Sequence, residues 1–227
     1  MNAAARFVAT VRGLAFENVF NPYFDRCPVH DRADAPARRS VTLSAILGAA
    51  SSGGIHSVWI GRDLGYRGGR RTGLALTDDV HVAAHAARWG IETRRCTKGL
   101  PVKERTAGLA WSVLDEIELP VFLWNVFPFH PHEPGLPFTN RSHRACERAV
   151  GEEILSELLR LLQPERVVAL GGDAAKCVER VAPGKCLKVR HPSYGGQADF
   201  LRQMSDLYGP RQGSKSQADL FGDGGRP

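Results

Sequence analysis

Four short apolar runs in this chain each end at residues able to do chemistry. Residues 57–60 run into Gly61-Arg62-Asp63, 121–124 into Asn125, 166–170 into Gly171-Gly172-Asp173, and 187–190 into His191-Pro192-Ser193. An aspartate can act as a fixed anion or take a proton from water, and a neutral histidine can donate to a developing oxyanion. An asparagine carries a donor and an acceptor on one planar amide, which suits reading the edge of a polar ring. Asp63, Asn125 and His191 are therefore the candidate catalytic and binding residues. Each alone has an ordinary structural use, as helix cap, turn former and loop closer respectively.

Residues so far apart in sequence need a scaffold that gathers them. Apolar runs alternating with helical stretches predict an α/β protein, a three-layer α/β/α domain around a short, mainly parallel central sheet. Ligands of open α/β sheets bind outside the carboxyl ends of the strands, so the four clusters are expected to share one crevice. Thr77 as N-cap, with Asp78 and Asp79 behind it and Gly90 as the stop, predicts a helix over 78–89. Apolar positions Cys146, Val150, Ile154, Leu158 and Leu161 predict a second helix over 141–162, ended by Gln163-Pro164. Gly171-Gly172 lacks the third glycine of a dinucleotide fingerprint and reads as a tight strand-to-helix turn. His81, His85, His130 and His132 lack matching acidic or cysteine ligands and read as surface histidines, not a metal site.

Composition bounds the partner. The 227 residues include 30 Lys and Arg against 24 Asp and Glu, a net charge of +6, with a pI near 9.3. That balance favours a polyanion, nucleic acid above all. No stretch approaches the roughly 18 to 20 uncharged apolar residues of a membrane helix, and residues 1–10 hold no apolar run of a secretory signal. Five cysteines, an odd number with no CxxC pair, fit a reducing cytoplasm. Residues 1–208 read as one domain, expected to be a monomer. Residues 209–227, glycine- and proline-rich around Leu220-Phe221, read as a disordered tail.

Three motifs in order carry a resemblance. Gly61-Arg62-Asp63-Leu64-Gly65-Tyr66, with Gly73-Leu74-Ala75 twelve residues after Gly61, resembles the uracil-DNA glycosylase superfamily, one branch of which reads GQDPYH with a GLA element at the same offset. Phe122-Leu123-Trp124-Asn125-Val126 is similar to the strand ending in that superfamily's base-reading Asn, and His191-Pro192-Ser193 to its HPS loop. The resemblance covers residues 16–208. It implies an enzyme that flips uracil out of DNA, hydrolyses its N-glycosidic bond and leaves an abasic site, with no metal or cofactor. Such a reaction leaves an oxocarbenium-like sugar and a negatively charged base. The resemblance then gives Asp63 the attacking water, His191 the leaving uracil and Asn125 the base edge. It also places Gly61, Arg62, Gly65, Tyr66, Leu76 and Phe127 around the substrate, and Arg67, Ser193, Tyr194 and Gly195 against the DNA.

The departures from the family matter as much. Gly65 stands where the GQDPY branch has the Tyr that walls off the methyl of thymine, which opens that side unless Tyr66 swings in. Leu76 replaces the aromatic that stacks on uracil, leaving Phe127 or Phe129 as substitutes. Gly195 replaces the wedge Leu, with Tyr194 as its substitute. Arg62, Arg67, Arg70 and Arg71 make a basic loop suited to phosphates, although Arg70 and Arg71 read equally well as a solubilising loop. In a comparison with the iron–sulphur branch, Cys27 and Cys146 fall on ligand positions and Phe24 and Phe129 on the other two. Two thiolates cannot hold that cluster, so no cluster is expected and the phenylalanines should fill its volume. In the tail, Gln217-Ala218-Asp219-Leu220-Phe221 is similar to the pentapeptide that docks bacterial repair and replication proteins on the sliding clamp. Two other classes stay open. One is a catalytically silent DNA-binding member, which Gly65, Leu76 and Gly195 favour; the other is a metal-dependent nucleotide or phosphate hydrolase.

Overall fold

The computed structural model describes residues 2–193 and 195–209. In chain order the elements are α1 (Ala3–Arg12), β1 (Val19–Phe20), α2 (Ala35–Gly53), β2 (Ser57–Asp63), α3 (Gly69–Thr72), α4 (Val82–Ala87) and α5 (Arg105–Leu114). There follow β3 (Val121–Phe127), β4 (His130–Pro131), α6 (Ala145–Leu162), β5 (Arg166–Leu170), α7 (Gly172–Val181), β6 (Cys186–Val189) and α8 (Gln197–Tyr208). The tail motif of Gln217, Leu220 and Phe221, and the wedge candidate Tyr194, lie outside the described residues.

All four apolar runs are strands of one parallel sheet, in the order β3-β2-β5-β6. Their sequences are near-continuous apolar runs because both faces of a parallel sheet are covered. Val58, Ile60, Phe122, Trp124, Val167 and Ala169 face a core completed by α1, α2, α6 and α7. The alternate residues Trp59, Leu123, Val168, Leu170 and Val189 face a second core completed by α5 and α8. Helices on both faces give the three-layer α/β/α arrangement. Trp59 is fully buried and its Nε1 donates to Tyr208 Oη at 2.6 Å, tying α8 to the sheet; emptying such a site typically costs about 3–5 kcal/mol. A separate antiparallel pair joins β1 and β4. Among the described residues no helix is long and apolar enough to cross a membrane.

Three expectations are corrected. The helix expected over 78–89 is only Val82–Ala87, because Thr77 does not cap it. The Thr77 hydroxyl donates to Ala75 O at 2.9 Å and meets His85 Nδ1 at 2.8 Å, while Asp78 Oδ1 accepts from Val80 N and His81 N. Nor are the histidines all on the surface: His85 and His130 are buried, and burial pushes each pKa down to about 3. Of the two phenylalanines expected to fill a vanished cluster, Phe129 packs on Phe16 and Phe127, whereas Phe24 is 62% exposed. Cys27 is buried and Cys146 exposed.

Candidate active site

Strand β2 continues past its apolar run, so that Gly61 lies in register beside Asn125 and Asp63 beside Phe127. Asn125 is buried and its Oδ1 has no hydrogen-bond partner. A Cβ on Gly61 would come within 2.2 Å of that oxygen, so only glycine lets the amide occupy this space. Leu76 lies 3.6 Å from the same point. Its backbone holds a left-handed φ of 52°, which costs about 1–3 kcal/mol for a residue with a side chain. Its carbonyl is held by Trp111 Nε1 at 3.1 Å. An orphaned buried acceptor costs about 1–3 kcal/mol, and its meeting with a strained Leu76 makes this spot the candidate place for a ligand.

Asp63 is almost buried, and each of its carboxylate oxygens is engaged. Oδ2 accepts from Arg62 Nε at 2.7 Å, and Oδ1 is in direct hydrogen-bond contact with His143 Nδ1. Arg62 also donates to Asp173 Oδ2 at 3.1 Å, in the first turn of α7. Arg62 thus spans from the end of β2 to the first turn of α7, with its side chain 40% exposed. His143 was invisible to motif reading, since it follows no strand and stands two residues before α6. Its loop is fixed by Arg141, which grips Glu147 through two contacts of 2.7 and 2.8 Å, and by Glu147 accepting from Arg144 N.

His191 abuts the turn between β5 and α7. Gly171 there has a φ of 95°, and a Cβ on it would meet His191 Cβ at 3.1 Å. Ser193 N donates to His191 Nδ1 at 3.1 Å; the neutral ring therefore carries its proton on Nε2. Burial, then the charges of Arg62 and Arg190, lower its pKa below the ordinary 6.5, keeping it neutral at neutral pH. Ser193 Oγ meets Thr106 Oγ1 at 3.1 Å, docking this loop on α5. Gly195 is exposed, with a φ of 75°.

The remaining candidates divide. Tyr66 is partly buried, with its N–H donating to Asn140 Oδ1 at 3.0 Å and its ring 5.9 Å from the Arg67 guanidinium. Arg67 is exposed. Phe127 is fully buried, against Phe16 at 5.5 Å and Phe129 at 5.1 Å, and Phe129 is equally buried. Neither ring offers an accessible face to a base in this conformation. Arg70 and Arg71 are interior residues, not a solvated phosphate-binding loop. Arg70 sits 4.0 Å from the centre of Phe20 and 5.0 Å from that of Phe138, and Arg71 pairs with Asp79 at 2.8 Å. Among the described residues no group of three or more His, Cys, Asp or Glu side chains could hold a metal ion.

The model of the Uracil DNA glycosylase superfamily matches residues 64–207, more than half of the chain, with Asn125 and His191 inside the match. The chain belongs to the uracil DNA glycosylase superfamily. No curated protein matches it. The crystal structure of wild-type SMUG2 from Pedobacter heparinus is similar, with a TM-score of 0.60 and 15% identity over 91% of this chain and 97% of that one. At that identity the likeness shows the superfamily fold alone. On that fold the carboxyl ends of β2, β3 and β5, and the loop after β6, carry Asp63, Asn125, the Gly171 turn and His191.

Proposed function

We propose that the protein is a monofunctional DNA glycosylase that flips uracil from DNA, hydrolyses its N-glycosidic bond and leaves an abasic site. The observation that carries this reading is the orphaned Asn125 Oδ1 beside the bare Gly61. Uracil presents an N3–H donor next to the O4 acceptor, which one carboxamide complements with Oδ1 and Nδ2. Cytosine lacks that N3–H and puts an amino group where the amide's own donor points, so the orphan stays unpaired.

The rest of the site suits the charges of the reaction. Positive charge grows on the sugar and is offset by Asp63, held in place by Arg62 and His143. Negative charge grows on the leaving base and is stabilised by the Nε2–H of neutral His191 at O2. Water adds to the sugar carbon and gives its proton to the Asp63–His143 pair as the glycosidic electrons leave with the base. The exposed Arg67 and the net charge of +6 favour the phosphate backbone, and extrusion of the base brings it to Asn125.

The test is an end-labelled oligonucleotide with a single uracil, incubated in EDTA and then treated with alkali to break any abasic site, beside a thymine control. Alkali-dependent cleavage at uracil is expected in single- or double-stranded DNA. DNA binding without cleavage in either form would leave a silent DNA-binding member instead.

A further inference from the structure

Gly65 leaves a gap in the rim, and a carboxyl group fills it. A Cβ on Gly65 would lie 2.4 Å from Glu104 Oε1, and one on Gly68 would lie 2.1 Å from Glu104 Oε2. The carboxyl therefore lies across the loop that follows Asp63. Glu104 immediately precedes α5 and is anchored by its own N–H, which donates to the buried Asp78 Oδ2 at 2.7 Å. The same helix reaches the other loops of the site: Trp111 holds Leu76 O, and Thr106 meets Ser193. Burial, then repulsion from Asp78, push the Glu104 pKa up to about 7, with Arg67 opposing. No hydrogen bond from a described residue counters that rise.

The position decides what the group would meet, on the glycosylase reading that this inference deepens. With Asn125 on the N3–O4 edge of the base and His191 at O2, the 5-position lies across the ring from O2. Glu104 lies against the loop after Asp63, at the head of the helix that also touches Leu76 and Ser193, and on this reading it is the group offered to that edge. We infer that Glu104 sets the base specificity of the pocket, accepting a hydrogen bond from a donor at the 5-position of uracil and turning away the methyl group of thymine. A methyl pressed against a carboxyl strips its remaining water and returns no donor. An amino group of nearly the same size donates. The discrimination is then chemical, where an aromatic wall would act by bulk.

Single-turnover rates on oligonucleotides carrying one uracil, one thymine or one 5-aminouracil test this, with uracil as the internal reference. The wild-type protein should cleave 5-aminouracil about 10- to 100-fold faster than thymine, the range expected for one acceptor left unpaired. Glu104→Ala should bring the two within about threefold, and Glu104→Gln, which keeps an acceptor oxygen, should retain most of the preference. Should the alanine variant fail to fold by thermal melting, Gly65→Ala supplies the second route, because its methyl must displace the carboxyl and should also shrink the ratio. An unchanged ratio in both Glu104→Ala and Gly65→Ala, or equal wild-type rejection of 5-aminouracil and thymine, overturns the inference and leaves uracil cleavage standing. Absence of uracil cleavage by the wild type overturns both readings.

Discussion

On the proposed reading Asp63 must serve its water in a crowded neighbourhood, since Arg62 and His143 each take one of its oxygens. A carboxylate with both oxygens engaged has less room to bond a water directly. His143 has its Nδ1 committed to Asp63, which on the proposed reading leaves Nε2 to meet the water, the logic by which an aspartate orients a histidine base in hydrolases. Asp63→Asn should therefore lower the single-turnover rate about 10²- to 10⁴-fold, with little change in affinity for uracil-containing DNA by fluorescence anisotropy. His143→Ala should fall about 10²-fold or more and recover part of its rate in added imidazole, whereas Asp63→Asn should not recover. A fully active His143→Ala variant would return the proton to Asp63 alone.

At the scale of the elements, the turn between β5 and α7 sets where His191 sits. Gly171 combines a φ of 95° with a close approach to His191, so Gly171→Ala meets both a strained backbone and a displaced ring. The expected loss of stability is about 1–3 kcal/mol by urea denaturation, and the rate on uracil should drop more steeply than stability, by about tenfold or more if the ring shifts by an ångström. A variant that loses stability alone would separate the turn from catalysis. This turn was legible in the sequence, as were all four strands, because buried parallel strands announce themselves as unbroken apolar runs. That Asn125 and His191 stand near the ends of those strands was legible for the same reason. Local signals failed where a side chain spends its hydrogen bonds at long range. Thr77 looks like a cap but binds Ala75 and His85, and Arg70 looks solvated but lies between Phe20 and Phe138. His143 and Glu104 follow no strand. What brings them to the candidate site is contact with Asp63 and closeness to Gly65, and no spacing rule encodes that.

Across the whole molecule, two buried histidines and the half-buried Glu104 pull the pH dependence of stability in opposite directions. His85 and His130 have an ordinary pKa of 6.5 and folded values of about 3, so between those limits the unfolded chain binds more protons and stability rises with pH. Glu104 has an ordinary pKa of 4.5 and a folded value of about 7. Over that interval the folded chain binds the extra proton, and stability falls as pH rises. Each fully displaced group contributes a slope of about 1.4 kcal/mol per pH unit. The two histidines should dominate at acid pH, and Glu104 should cancel one of them between pH 4.5 and 6.5. Glu104→Gln removes only the opposing contribution, so urea denaturation should find it close to wild type near pH 4 and more stable by about 3 kcal/mol at pH 8. A stability difference that is the same at both pH values would show that Glu104 is not a strained, partly protonated acid. A cost that grows with pH is what the specificity reading predicts for Glu104, a residue kept for what the pocket binds rather than for stability.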